Sequence, residues 1–313
     1  MPLPHERRDR AMKLLTWNTQ WCCGLDGVVS PQRIVDGARA MGDFDVLCLQ
    51  EIAQGYDGMP GGPGDQPAQL QALLPGFRLF FGAAVDECTA DGRRQRFGNL
   101  IATRLPVRRV EHHALPWPAD GGVRSMPRMC SVVTLESPAL GLVRVMTTHL
   151  EYYSAVQRMA QARALRALHR EACAHAATPP AADDSRSPFQ DKPHTPHAIL
   201  CGDFNLGVHE PEYALLQASD GFEEKRPAAP ASPARAAINS IANEPRLHDA
   251  WRLLHGATPH PPTFRLFDRS YGPEPVACDF VFVSDALAPR LRRIEVDVRT
   301  QASDHQPVFV ELG

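Results

Sequence analysis

Short apolar segments, several of them alternating apolar and polar residues, recur along the whole chain between turns and helical stretches. Alternation with a period of two is typical of strands that bury one face. About ten such strands indicate two stacked sheets. The predicted strands are Met12–Trp17, Asp45–Gln50, Arg78–Ala83, Asn99–Thr103, Cys130–Leu135, Val143–His149, Ala198–Cys201, Phe280–Val283, Ile294–Val298 and Val308–Glu311.

Helical signals lie between some of these strands. In the longest predicted helix, Ser154 and Gln157 fit a capping box. The face expected to be buried there carries Val156, Met159, Leu165 and Leu168. The four predicted helices are Gln32–Met41, which Pro31 precedes, Ser154–His175, Glu210–Gln217 and His248–Leu254.

Three segments are predicted to be loops. Thr178–His197 contains five prolines among polar residues, Phe222–Asn239 is rich in Ala, Pro and charge, and Gly55–Gln66 is rich in Gly. Proline at this density is incompatible with a helix or a central strand. Since apolar strands flank the first segment, we expect a single catalytic domain over 11–313 with a Pro-rich surface insertion at about 178–197. Residues 1–10 are expected to be a flexible tail.

Composition restricts the class of protein. The 313 residues include 33 Lys and Arg against 36 Asp and Glu, a net charge of −3, so the chain has no overall basic surface for nucleic acid. No apolar run approaches the roughly 20 residues that span a bilayer, and the charged N-terminus does not resemble a secretory signal. The eight cysteines show no C-x-x-C spacing. We expect a reduced, cytoplasmic protein without stable membrane insertion or an obligate protein partner.

Polar residues stand repeatedly where apolar strands end or begin. Each of them alone is an ordinary turn, cap or surface residue. Together they supply oxygen ligands and imidazoles, which a rigid sheet can bring to one edge. Carboxylates and amides suit Mg²⁺, or Mn²⁺ in its place, and the lack of cysteine ligands argues against zinc. The residues are Asn18, Glu51, His149, Asp203, Asn205, Asp304 and His305.

Seven segments, in order from residue 16 to residue 308, resemble the endonuclease/exonuclease/phosphatase superfamily, also known as the DNase I-like fold. The resemblance implies an α/β fold, a four-layer α/β/β/α sandwich in which helices flank two packed, mostly antiparallel sheets. The matching segments are Thr16–Asn18, Leu49–Glu51, Gly98–Ile101, Thr148–Leu150, Gly202–Asn205, Cys278–Ser284 and Ser303–Val308.

The resemblance implies a Mg²⁺ site and an activated water. Glu51 would be the chief metal ligand, with Asn18 and Asp304 beside it, binding directly or through water. Asp203 would orient or deprotonate the attacking water, and Asn205 would hold that water or the phosphate. The metal would neutralise phosphate charge and stabilise the leaving oxygen.

The resemblance also assigns the imidazoles. His305 would donate a hydrogen bond to a phosphoryl oxygen, Asp279 would fix the tautomer of His305, and His149 would be the second imidazole on the phosphate. Asn99 and Arg128 are weaker candidates for substrate contacts. Asn99 has an alternative role as a strand-end hydrogen-bond donor.

The expected activity is that of a metal-dependent phosphoric ester hydrolase, either a phosphodiesterase or a phosphatase. The Thr148-His149-Leu150 segment resembles the sphingomyelinase-like, deadenylase-like and phosphoinositide-phosphatase-like branch rather than the apurinic/apyrimidinic endonucleases, which carry Tyr there. The alternatives are a nuclease on DNA or RNA and a non-catalytic binding module. The substrate stays open among small molecules, lipid head groups and nucleic acids. The expected specificity loops are Gly55–Gln66, Asp86–Arg96, Trp117–Met126 and Phe264–Val276.

Overall fold

The computed structural model describes residues 10–218 and 244–313, so the predicted loop Phe222–Asn239 and residues 1–9 of the predicted tail lie outside it. The strands are β1 Met12–Asn18, β2 Val46–Gln54, β3 Arg78–Cys88, β4 Arg94–Thr103, β5 Val107–Ala114, β6 Met129–Ser137, β7 Gly141–His149, β8 Ala198–Asp203, β9 Leu247–Asp249, β10 Asp279–Ser284, β11 Leu291–Val296 and β12 Val308–Leu312. The helices are α1 Pro31–Met41, α2 Gln66–Leu73, α3 Ala155–Ala177, α4 Pro211–Gln217 and α5 Ala250–His255, with a 3₁₀ turn at Ala288–Arg290.

The strands form two six-stranded sheets. The first has the order β11-β12-β1-β2-β4-β3, and the second has the order β5-β6-β7-β8-β10-β9. Strand β1 runs parallel to β2, and β7 runs parallel to β8. The other strand pairs among the described residues are antiparallel, for example β12 with β1 and β10 with β8. The predicted mostly antiparallel arrangement is confirmed.

Successive side chains along each strand face different cores, and this explains the four layers. On β2, Val46 and Cys48 face a core shared with the second sheet, while Leu47 and Leu49 face the core beneath α1 and α2. The second sheet divides its side chains in the same way, between the central core and a core beneath α3 and α4. Since a strand turns successive side chains to opposite faces, each sheet has helices on its outer face, and the α/β/β/α sandwich is confirmed.

Each predicted strand overlaps an observed one, but three elements were missed. Strand β5 alternates regularly between half-buried and exposed positions. Strand β5 was not predicted because it is rich in Arg, Glu and His. An edge strand with one solvated face needs few apolar residues. Helix α2 follows the Gly-rich loop, capped by Asp65. Strand β9 occupies the start of the predicted helix His248–Leu254, which therefore begins only at Ala250.

The long helix α3 begins as predicted, and its predicted face is correct in part: Leu165 is buried and Met159 and Leu168 are partly buried against the same core, but Val156 is not. The Ser154 hydroxyl accepts the backbone N–H of Gln157 at 3.1 Å. The Gln157 side chain donates to the carbonyl of Pro118 instead of completing a capping box. Val156 is 59% exposed, and the buried face includes polar residues such as Gln161 and His169. Among the described residues, no helix combines the length and apolarity needed to cross a bilayer.

Candidate active site

Strand direction brings the predicted residues to one edge of the sandwich. Asn18 and His149 stand at the carboxyl ends of β1 and β7, and in the ladders to the parallel neighbours they pair with Gln50 and Asp203. Because β10 runs antiparallel to β8, its first residue, Asp279, lies opposite Asp203. Residues that are far apart in the sequence therefore meet where these strands end.

Gln50 joins the two sheets just beneath this edge. Its amide nitrogen donates to the hydroxyl of Thr16 in its own sheet at 3.1 Å and to that of Thr147 in the opposite sheet at 2.8 Å. All three side chains are fully buried. A buried polar bridge of this kind fixes the position of one sheet relative to the other. No sequence pattern indicated this role, although Gln50 lies inside the Leu49–Glu51 segment.

Two hydrogen bonds join the segment before β12 to β1. The Ser303 hydroxyl donates to the carbonyl oxygen of Asn18 at 2.8 Å, and the Trp17 indole N–H donates to that of His305 at 2.9 Å. These bonds place Asp304 and His305 beside the ends of the strands. The seven predicted strand-end residues and Asp279 are thus gathered at one place.

Two of the gathered residues have left-handed backbone conformations. Glu51 has φ of 60° where the pairing of β2 with β4 changes register between Leu49 and Ile52, and Asn205 has φ of 50°. Asn tolerates this region, whereas Glu adopts it at a cost of about 1–3 kcal/mol. The irregularity turns Glu51 out of the regular ladder and toward the site.

Asn18 connects two carboxylates. Its amide nitrogen donates to Glu51 Oε1 at 3.0 Å and to Asp203 Oδ2 at 2.9 Å. Burial, followed by the charge of Asp304, raises the pKa of Glu51 to about 7. Burial raises the pKa of Asp203 to about 6, and it also raises the pKa of Asp304. The three acids are difficult to ionise together unless positive charge lies beside them.

The donor set fits a hard divalent cation. Glu51 and Asp304 provide carboxylate oxygens, the ligand type that Mg²⁺ prefers. The amide oxygen of Asn18 accepts the backbone N–H of Gln20 at 3.1 Å while its nitrogen faces the carboxylates, so in this conformation Asn18 would hold an ion through water. A second group with ligand atoms within 4.8 Å of one another comprises Asp203, Cys278, Asp279 and His305. Burial raises the pKa of the Cys278 thiol well above its usual value, so it stays protonated and is a poor ligand.

His305 is held on three sides. Its Nδ1 lies 2.8 Å from Asp279 Oδ2, its Nε2 lies 3.7 Å from Asp203 Oδ2, and its ring stacks on Phe264 with centroids 4.4 Å apart. Burial opposes the charged ring, but the carboxylates of Asp279 and Asp203 outweigh it and hold the pKa of His305 well above the usual value. His305 is therefore an imidazolium at neutral pH.

His149 is neutral, in contrast to His305. Its Nε2 lies 3.0 Å from the Asn205 amide nitrogen and 3.3 Å from Asp203 Oδ2. Burial, followed by the positive charges of Arg128 and His305, lowers the pKa of His149 well below its usual value. The site thus contains one cationic and one neutral imidazole around the same carboxylate.

Of the two weaker candidates, the structure places only Arg128 in the cleft. Arg128 Nε donates to Glu151 Oε2 at 3.2 Å, and both side chains are buried. Glu151 was not identified from the sequence. Asn99 lies on β4, donates to the carbonyl oxygen of Met129 at 3.3 Å, and is not among the residues that line the cleft.

The site opens into a cleft of about 620 Å³. Each of the four expected specificity loops contributes to its lining, through Tyr56, Glu87, Trp117 and Tyr271 among others. Trp117 and Tyr271 are 52% and 50% exposed, so their rings form part of the wall.

Solved structures share this architecture. An endonuclease/exonuclease/phosphatase from Beutenbergia cavernae is 25% identical with a TM-score of 0.65, over 97% of this chain and 71% of that chain. Mannosyl-6-phosphatase Bt3783 from Bacteroides thetaiotaomicron is 18% identical with a TM-score of 0.59, over 96% and 99%. The 3′ phosphatase NExo from Neisseria, solved with a product DNA hairpin, is 21% identical with a TM-score of 0.54, over 97% and 100%.

Comparison with curated proteins found no match. The model of the Endonuclease/Exonuclease/phosphatase family matches residues 15–305, which include every residue gathered at the strand ends. With the sandwich fold and the gathered residues, this match identifies the family. The chain therefore belongs to the endonuclease/exonuclease/phosphatase family, whose members hydrolyse phosphoesters.

Proposed function

We propose that this protein is a Mg²⁺-dependent hydrolase of phosphoesters, a phosphodiesterase or a phosphatase, that uses an activated water. One observation carries the proposal: a hard-oxygen donor set adjoins Asp203, which lies between a cationic and a neutral imidazole. Glu51, Asn18 and Asp304 would hold the ion. When bound, Mg²⁺ supplies positive charge that offsets the phosphate and stabilises the leaving oxygen.

The protein's own side chains would activate the water and stabilise the charge that develops on the phosphoryl group. Asp203 Oδ1 accepts the backbone N–H of Asn205 at 2.9 Å, and this fixes the carboxylate while Oδ2 stays directed at the imidazoles. A base with a pKa of about 6 is ionised at neutral pH and suits removal of a proton from the attacking water. His305 would donate its Nε2 proton to a phosphoryl oxygen as negative charge develops there.

Arg128 and His149 would face the same phosphate from the opposite side. The guanidinium is fixed by Glu151, so little side-chain freedom is lost when an anion binds. Asn205 supports His149 through its amide nitrogen at 3.0 Å. This arrangement places fixed charge and hydrogen-bond donors around one phosphate before the reaction begins, which is the main requirement for catalysis on an anionic ester.

A nuclease is less well supported. Binding along a nucleic-acid backbone needs a track of basic side chains. The cleft lining in the described part of the chain contains two arginines, Arg124 and Arg128, against four acids, Glu51, Glu87, Asp203 and Asp304. A non-catalytic module is disfavoured because each position expected to carry chemistry has a competent residue.

The test is hydrolysis of a substrate panel with Mg²⁺, with Mn²⁺ and with EDTA. The panel contains single-stranded and duplex nucleic acids, sphingomyelin, inositol phosphates and aryl phosphates. Glu51→Gln should reduce activity on the preferred substrate at least about 10²-fold by weakening metal binding. Glu87→Gln is the matched control, because Glu87 lines the same cleft but is not one of the proposed metal ligands. Full activity in EDTA, or equal effects of the two variants, would refute the proposal.

A further inference from the structure

A second cavity, of about 270 Å³, lies between the second sheet, α3 and the Pro-rich insertion. Its lining shares no residue with the active-site cleft. Pockets for drug-sized ligands usually have about 300–1,000 Å³, so this one suits a smaller molecule. The chemistry of its wall indicates what that molecule is.

Arg144 lines this cavity as a buried charge without an acidic partner. Four arginines among the described residues are at least nine-tenths buried, and three of them have a carboxylate within 4 Å. Those three pairs are Arg128–Glu151, Arg158–Glu210 and Arg166–Glu244. Within residues 10–218 and 244–313, Arg144 has no such ion pair. Since burying a charge is costly unless it is paired, its counter-charge is missing.

The contacts of Arg144 are all with neutral groups. Its Nε donates to the carbonyl oxygen of Thr195 at 3.1 Å, and its Nη2 lies 3.0 Å from His169 Nδ1. Burial, followed by the charge of Arg144, lowers the pKa of His169 to about 3, so this imidazole stays neutral. A guanidinium keeps its proton in proteins. The positive charge at the cavity wall is therefore permanent.

The insertion brings further hydrogen-bond donors to the same cavity. The Lys192 ammonium donates to backbone carbonyl oxygens, including that of Pro188 at 2.7 Å. The His194 ring stacks on that of His175 at 5.1 Å, and its Nε2 is buried without a hydrogen-bond partner in the described structure.

One of the two acids of the cavity has a cationic partner. Glu111 lies 2.8 Å from the Arg109 guanidinium, whereas Glu171, whose side chain is 68% exposed to water, lies 3.8 Å from the His175 ring, a pair that is ionic only when the ring is protonated. The lining therefore contains three cationic side chains and two acidic ones; the cationic residues are Arg109, Arg144 and Lys192. The permanent positive charges of Arg109 and Arg144 at the wall disfavour a metal cation in this cavity.

We propose that this second cavity binds a small oxyanion, with Arg144, Lys192 and His194 as its donors. A planar guanidinium matches the oxygens of phosphate and of carboxylate, and the oxyanion would supply the missing counter-charge. The site is independent of the proposed hydrolase activity. Because Lys192 and His194 belong to the insertion, binding would also order this segment against the sheet.

Titration of inorganic phosphate into the full, EDTA-treated chain tests the proposal by calorimetry and by the melting temperature. Arg144→Met should weaken phosphate binding at least about tenfold, the effect of losing a charge-assisted hydrogen bond. Lys192→Met changes an exposed side chain, so it should leave folding intact and weaken phosphate binding several-fold. Arg186→Met is the matched control, since it removes a charge from the same insertion outside the cavity lining. Phosphate should also shift the imidazole ¹H–¹⁵N signals of His194.

His305→Ala separates this site from the active-site cleft. Phosphate binding that survives in His305→Ala but weakens in Lys192→Met supports the proposal. Malonate that competes with phosphate extends the site to carboxylates, and the absence of competition restricts it to tetrahedral oxyanions. The proposal is overturned if phosphate does not bind, if the cavity variants bind as well as the wild-type protein, or if His305→Ala abolishes the binding.

Discussion

The pairing of His305 with Asp279 allows a quantitative prediction. The two side chains are 2.8 Å apart and at most 5% exposed, and the carboxylate is the first of the charges that hold the pKa of His305 high. His305→Ala should lower kcat by about 10²–10³, or roughly 3–4 kcal/mol, because a donor to the developing phosphoryl charge is lost. The change in KM should be smaller, since the interaction forms mainly in the transition state.

Asp279→Asn should act through the protonation of His305. Without the carboxylate charge of Asp279, only Asp203 remains to oppose burial, so the pKa of His305 should fall and a smaller fraction of the rings should be protonated at neutral pH. The loss should therefore approach that of His305→Ala at pH 8 and shrink toward pH 5.5. The loss grows with pH because the wild-type His305 ring, whose pKa is raised, stays protonated at a higher pH than the ring in the variant.

The measurement is kcat for both variants, the double variant and the wild-type protein from pH 5.5 to 8.5. Each variant is compared with the wild-type protein at the same pH, because Asp203 and Glu51 also titrate in this range. The double variant should lose little more than His305→Ala alone. Asp285→Asn is the matched control, because Asp285 forms a 2.7 Å pair with His248 on the surface. Additive losses in the cycle would show that Asp279 does not act through His305.

Three further predictions concern stability. In metal-free protein, the raised pKa values of Glu51 and Asp203, about 7 and 6, mean that stability declines as pH rises through these values. Mg²⁺ should therefore raise the melting temperature more at pH 8 than at pH 5; equal shifts would contradict the proposed ligands. Deleting Ser185–Pro193, which is largely exposed, should change the melting temperature little, and a large loss would show that the segment packs as structure. Gly202→Ala should cost about 2 kcal/mol or more in urea unfolding, because φ is +134° and a Cβ would lie 2.0 Å from the carbonyl oxygen of Thr148. Gly58→Ala, which meets nothing within 4 Å, should change stability by less than about 0.5 kcal/mol.

The pattern of apolar and polar residues was sufficient to predict ten of the twelve described strands and the residue types at their ends. Alternation assigns Val46 to one face of β2 and Leu47 to the other, because this period is a local property of the backbone. The pattern could not reveal β5, whose solvated face carries charge, or the buried polar residues of α3, since Gln161 and Arg158 are buried by bonding to the loop after β7.

The charge states of the site residues, and the hydrogen bonds that hold them in place, depend on the packing of the two sheets. Asn18 and Asp203 are separated by 185 positions yet lie 2.9 Å apart, and no local pattern encodes that distance. Burial and neighbouring charges make His305 cationic and His149 neutral, although the two are the same residue type. Glu151 received its role beside Arg128 in the same way. A pKa depends on desolvation and on distances between remote segments, and these exist only once the two sheets have packed.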